Sequence, residues 1–229
     1  MRLVLWRHGQ TSWNAEHRFQ GHSDISLDET GLEQARGSAR YLAAMGPTAI
    51  FSSDLARAAE TAAYLGELTG LPVQAEKDLR ERGGGSWEGL TNEEIKERYP
   101  EAYAAWIPAD GEPVSAAADR VTAALERIAD SLDGDGPLAV VVSHGAAINL
   151  GISRLLGLPE GSRLLGPLGN CSWSVLGRRG GRWRLLEHNV GQLPDVAPEP
   201  VEVLAAGPEE EMVAGPSGPP PRPAPGSTR

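Results

Sequence analysis

Two short apolar runs in this chain each end on a His-Gly step: LVLWRHG at Leu3–Gly9 and LAVVVSHG at Leu138–Gly145. Runs of this length read as strands. As strands of one parallel sheet they deliver both imidazoles to the carboxyl ends, where open α/β sheets form their ligand crevice. The glycine after each strand lets the backbone turn sharply, and lets a following helix offer its amides to an anion.

The rest of the chain repeats this alternation. Further strands are expected at Ala49–Phe51, Ser172–Leu176 and Trp183–Leu186, with a weaker one near Val73. A capping box from Thr30 to Glu33 opens a helix to about Ala44, and one from Thr91 to Glu94 opens another that Pro100 ends. Leu55–Leu68 and Ser115–Leu132 place apolar residues at helical spacing. Strand alternating with helix implies an α/β chain around a mostly parallel sheet. The last two strands have only GRRGG between them, so they are expected to form an antiparallel hairpin at the sheet edge.

At 229 residues the chain is long enough for one generous domain, burying roughly 70% of its unfolded surface. Cys171 is the only cysteine, so no intramolecular disulfide and no cysteine-rich metal site is available, and a cytoplasmic setting fits. The opening MRLVLWRHGQ is too short an apolar run for a signal peptide or membrane span. A net charge of −10 argues against nucleic acid or an acidic membrane as partner. Residues 1–194 read as the folded domain. Residues 195–229 hold nine of the 18 prolines and few large apolar groups, and read as a disordered tail.

Following the expected strand ends in order gives Arg7-His8-Gly9, then Ser52-Ser53 with Arg57 in the next helix, then Glu81, then Ser143-His144-Gly145. Two arginines offer planar, permanently charged forks suited to phosphate oxygens. A histidine among arginines stays neutral, and a neutral ring nitrogen is a nucleophile. His144 can compensate charge on a transferring phosphoryl group, and Glu81 can act as general acid. Nothing in this set requires a metal or another cofactor.

These residues resemble the histidine phosphatase superfamily, the phosphoglycerate mutase-like proteins. The matching pieces are RHGQTSWN at Arg7–Asn14, FQGHSDISLDETGLEQA at Phe19–Ala35, SSDLARAAETA at Ser52–Ala62, LRERGGGSWEGL at Leu79–Leu90 and VVSHGAAI at Val141–Ile148. The resemblance implies a three-layer sandwich with helices on both sheet faces and a phosphohistidine intermediate. It makes His8 the nucleophile, Arg7, Arg57 and His144 the phosphate pocket together with Gly145, and Glu81 the proton donor. Asn14 matches a phosphate-contacting position, and Gln20 and Gly21 lie where relatives contact substrate. The ending GNCSWSVL with WRLLEHN is also similar to actinobacterial glucosyl-3-phosphoglycerate phosphatases.

Mutases of this kind carry a long insertion between the glutamate and the second histidine. Here that interval must hold two helices and a strand, leaving little for a lid, so the expected activity is metal-independent hydrolysis of a small phosphoester such as a sugar phosphate or phosphoglycerate-type ester. A phosphoglycerate mutase and a catalytically silent phospho-ligand binding module are the alternatives. Trp13, Trp87 and Trp106 read as packing residues, His17, His22 and His188 as hydrogen-bonding or surface residues, and Cys171 as a small buried hydrophobe. An added edge strand leaves a homodimer open.

Overall fold

The computed structural model describes residues 1–132, 136–162 and 164–191; the segment expected to be a disordered tail lies outside the described residues. The strands are β1 (Arg2–Arg7), β2 (Ala49–Ser52), β3 (Val73–Ala75), β4 (Leu138–Ser143), β5 (Trp173–Arg179) and β6 (Arg182–Val190). They form one sheet in the order β3-β2-β4-β1-β5-β6. β1, β2, β3 and β4 are parallel, and β5 pairs antiparallel with both β1 and β6. The mixed, mostly parallel sheet and its terminal hairpin are those expected from the sequence.

Among the described residues seven α-helices accompany it: α1 (Ser12–Ala15), α2 (Glu29–Ala44), α3 (Ala56–Thr69), α4 (Asn92–Arg98), α5 (Pro100–Ala105), α6 (Val114–Asp130) and α7 (Gly145–Leu155). Side chains of a strand alternate between faces. From β1 and β4, Leu3, Leu5, Ala139 and Val141 pack on one side with Val121, Leu125, Ile148 and Ile152 of α6 and α7. Val4, Trp6, Val140 and Val142 pack on the other with Ala35, Ala39, Ala58, Ala62 and Leu65 of α2 and α3. The result is three layers. Each large apolar side chain buried there contributes about 1.5–3 kcal/mol, which is how a chain with one thiol holds its sheet without a staple.

Two local expectations change. The α2 N-cap is Asp28 and not Thr30: the Asp28 carboxylate accepts from Gly31 N at 2.8 Å and from Gln10 Nε2 at 3.1 Å. Both residues are good caps in isolation, and the contact with Gln10 favours the earlier start. The Thr91–Glu94 capping box is present, but Pro100 does more than stop α4: it is the first residue of α5, where its fixed φ and missing N–H cost nothing. α5 ends at Trp106 in a left-handed conformation with φ 55°. The interval between Glu81 and His144 therefore holds one more helix than expected, with consequences for the pocket.

Candidate active site

Register builds the site. Arg7 of β1 stands opposite Ser143 of β4, and Ser52 of β2 opposite Val142, so three consecutive sheet strands end at one level. The amide of His8 donates to Ser143 O at 3.0 Å, and that of Ser53 to Val142 O at 2.9 Å. The His8 and His144 rings consequently face each other with centroids 5.1 Å apart, tilted by 58°.

A cavity of about 260 Å³ opens at this strand end, lined by Arg7, His8, Asn14, Gln20, Gly21, Arg57 and Glu81 among others. Seven of the residues expected from the sequence thus meet in one place. His144 is fully buried beneath them. Gly145 sits outside the lining, against the Arg7 guanidinium, where a Cβ would lie 3.5 Å from Arg7 Nε; its neighbour Ala146 lines the cavity instead.

The His8 ring is oriented by its own backbone. Nδ1 lies 2.7 Å from Gly9 O, and a carbonyl only accepts, so Nδ1 carries the proton and Nε2 keeps its lone pair. Burial holds the His8 pKa well below the usual imidazole value, and the Arg57 and Arg7 charges push it the same way. Gly9 N donates to Thr61 Oγ1 at 3.1 Å, which fixes the turn after β1 to α3.

Arg57 is fully buried on the second position of α3. Its Nη1 and Nη2 donate to Ser23 O at 2.8 Å and Gly21 O at 2.9 Å, and its Nε donates to His144 Nδ1 at 3.2 Å. Desolvation lowers its pKa to about 10, with the Glu81 charge acting against that fall. Because Arg57 can only donate, His144 Nδ1 accepts, and the Nε2–H donates to Ser53 Oγ at 2.9 Å. Both His144 nitrogens are therefore held by protein. Its pKa too lies well below the ordinary value, through burial first and then the charges of Arg57, His8 and Arg7. Arg7 donates through Nη1 to Leu168 O, while its buried Nε has no partner among the described residues. A buried, unused donor beside a neutral imidazole is a place for an oxyanion.

Glu81 lines the same cavity and sits on the N-terminus of α7. Its Oε1 accepts from Ala147 N at 2.9 Å and Arg82 N at 2.8 Å, and Oε2 accepts from Ala146 N alone at 3.1 Å. Asn14 is aimed by Asn170, whose Nδ2 donates to Asn14 Oδ1 and to His8 O, each at 3.2 Å. That fixes the Asn14 oxygen and leaves its amino group for the cavity.

Sequence reasoning missed Arg18, Phe19, Arg82, Trp106 and Ala146, all in the lining. Trp106 reads in the sequence as a packing residue like Trp13 and Trp87. It is 45% exposed, while Trp87, its edge-on neighbour at 5.3 Å, is fully buried as expected. Its position depends on α5, which the sequence pattern did not show. Cys171, also expected to be buried, is 3% exposed and its thiol is pushed up to about 12. Among the described residues no group of His, Cys, Asp or Glu has the arrangement of a metal site, and no helix is long and apolar enough to cross a membrane.

Comparison with known proteins gives the same outline. Residues 3–191 match the model of the histidine phosphatase superfamily, branch 1. The chain is 40% identical over 187 residues to glucosyl-3-phosphoglycerate phosphatase of Mycolicibacterium vanbaalenii, covering 76% of this chain and 83% of that protein. It is 38% identical over 191 residues to the metal-independent phosphoserine phosphatase of Arabidopsis thaliana, covering 79% and 78% of the two. The solved complex of a mycobacterial glucosyl-3-phosphoglycerate phosphatase with inorganic phosphate superposes with a TM-score of 0.76 at 38% identity, over 83% of this chain and 97% of that one. With the family model matched over residues 3–191 and a relative 40% identical over 76% of its length, the chain belongs to the histidine phosphatase superfamily, branch 1, and is a phosphatase of that type.

Proposed function

We propose that this enzyme hydrolyses phosphate monoesters without a metal, through a phosphohistidine on His8 Nε2. The observation that supports it most is the His8 ring itself: neutral, with its proton committed to Gly9 O and its lone pair free beside Arg7 and Arg57. The lone pair attacks phosphorus, an N–P bond forms and the ester P–O bond breaks. Arg7 Nε, the remaining Arg57 N–H groups and the Asn14 amino group meet the charge on the phosphoryl oxygens. Glu81 gives a proton to the leaving oxygen. Its Oε2, with one amide partner where Oε1 has two, is the oxygen assigned to this transfer. Water then attacks phosphorus, returns a proton to Glu81, and phosphate leaves as the N–P bond breaks. His144 contributes by holding the Arg57 Nε and Ser53 in place.

For substrate, the relatives named for glucosyl-3-phosphoglycerate and phosphoserine point to a small ester with a polar leaving group. Arg82 and Gln20 in the lining support this, since the Gln20 Oε1 is buried with no partner among the described residues and can accept from a substrate hydroxyl. The test is phosphate release from glucosyl-3-phosphoglycerate, phosphoserine, 3-phosphoglycerate and sugar phosphates with chelator present. Turnover unaffected by chelator, lost in His8→Ala, and an acid-labile phosphoryl adduct on the His8 peptide are expected. Full turnover in His8→Ala removes the mechanism. Isomerisation of 3-phosphoglycerate outpacing phosphate release identifies a mutase, and phosphoester binding without turnover identifies a silent binding module.

A further inference from the structure

Glu81 lies in no helix or strand: β3 ends at Ala75, a single 3-10 turn, Lys77–Leu79, precedes Glu81, and the next begins only at Gly85. A general acid displaced by about 1 Å loses on the order of a hundredfold in rate, so the backbone at residue 81 needs an external fix. His22 supplies a little of that fix, its Nε2 lying 2.8 Å from Glu81 O, and α6 supplies the rest. Arg120 Nη1 donates to Asp78 O at 2.8 Å and Arg80 O at 2.7 Å, and Nη2 donates to Glu81 O at 2.8 Å. The other two N–H groups go to one carboxylate: Nε to Glu112 Oε1 at 2.6 Å and Nη2 to Glu112 Oε2 at 2.7 Å. All five donors of the guanidinium are engaged.

Glu112 closes the arrangement. Its Oε2 also accepts from Gly83 N at 3.1 Å, its amide donates to Gly83 O at 2.9 Å, and its carbonyl accepts from Arg82 Nε at 2.8 Å. Residues 84–111, which include α4, α5 and Trp106, are thereby pinched at the neck where they depart from and return to the site. Arg120 and Glu112 themselves are absent from the cavity lining. We propose that Arg120, gripped by Glu112, is a positioning residue for Glu81, holding the backbone so that the carboxyl group meets the leaving oxygen. This rests on Glu81 being the proton donor. Lysine cannot substitute: an ammonium has three donors and no planar fork, so it cannot serve the carboxylate and three carbonyls together.

A proton donor matters most when the leaving oxygen is basic, and little when it leaves as a stabilised phenolate. The test therefore compares kcat/KM for an alkyl ester, glycerol phosphate, with that for p-nitrophenyl phosphate on the same preparation. The ratio does not depend on the folded fraction. Arg120→Lys and Glu112→Gln are each expected to lower the alkyl-to-aryl ratio about tenfold or more, with the loss in kcat and with KM within about twofold. Glu81→Gln serves as reference and is expected to lower it further. A reduced ratio in Glu81→Gln with an unchanged ratio in both Arg120→Lys and Glu112→Gln overturns the positioning role alone. An unchanged ratio in Glu81→Gln overturns the assignment of Glu81 as acid. Should Arg120→Lys fail to fold, Glu112→Gln gives the same reading by itself.

Discussion

Arg57 Nε donates to His144 Nδ1 across 3.2 Å, and that hydrogen bond sets the protonation pattern of the pocket floor. A guanidinium cannot accept, so it selects the His144 tautomer with its proton on Nε2, and Ser53 takes that proton's hydrogen bond. Protonating either pocket histidine would place a third cation between Arg7 and Arg57.

The pH dependence follows. Both histidines titrate far lower when folded than at the unfolded value of about 6.5, so below that pH the unfolded chain binds protons that the folded chain refuses. Their stability contribution is fully present above about pH 6.5 and falls on acidification. The slope is up to about 1.4 kcal/mol per pH unit for each ring. Denaturant unfolding at pH 7.0 and 5.5 checks it, and His8→Asn should lose about half of the slope. The acid limb of kcat/KM should likewise lie below pH 6.5, because His8, the nucleophile in the proposed mechanism, stays neutral there.

Replacing Arg57 with Met leaves Gly21 O and Ser23 O without donors and frees His144 Nδ1. Unpaired buried acceptors cost about 1–3 kcal/mol, partly offset by removing a buried charge. Activity should fall by on the order of a hundredfold or more, since donors aimed at a developing oxyanion act in a dry site. Calorimetry and steady-state kinetics on Arg57→Met separate the two effects.

Gly21 is irreplaceable for a different reason from most turn glycines. It has φ +52°, and a Cβ there would lie 2.0 Å from Glu88 Oε1 and 2.8 Å from Gly84 N. Gly21→Ala should cost about 2–4 kcal/mol and depress activity by moving the carbonyl that holds Arg57. Gly46, at φ +68° with open space around it, is the control. Gly46→Ala should cost only about 1 kcal/mol with activity intact. Thermal melts and kcat/KM of the pair decide it.

Trp106 should matter according to the size of the leaving group. Its ring stacks edge-on to Trp87 at 5.3 Å and Tyr103 at 5.5 Å while its exposed face borders the cavity. Trp106→Ala is expected to raise KM about tenfold for glucosyl-3-phosphoglycerate and less than about twofold for p-nitrophenyl phosphate. Equal effects on both substrates would deny it a role in recognition.

What the chain announces in its sequence is chemistry at strand ends. His8, His144 and, one turn past β2, Arg57 could be placed because short apolar runs locate the sheet's carboxyl edge, and register then brings those strand ends together. Glu81, six residues beyond the end of β3, was legible only through its motif LRERGGGSWEGL. What stayed hidden depends on contacts between distant segments. Thr30 and Asp28 are equivalent caps until Gln10 is seen beside one of them. Arg120, in the middle of an alanine-rich helix, looks like a surface cation until three carbonyls of residues 78–81 are found around it. Trp106 belongs to the pocket only because Pro100 begins a helix that the local pattern reads as an ending.

The placement of Cys171 has one further result. Thiolate is the form that oxidants and alkylating agents attack, and a thiol at about 12 exposes on the order of one part in 100,000 of it at neutral pH. With that sulfur sealed in the sheet layer and phosphoryl capture assigned to an imidazole, hydrogen peroxide finds no reactive sulfur at the centre of the reaction. Catalysis should persist through oxidative stress that silences phosphatases built on a cysteine nucleophile.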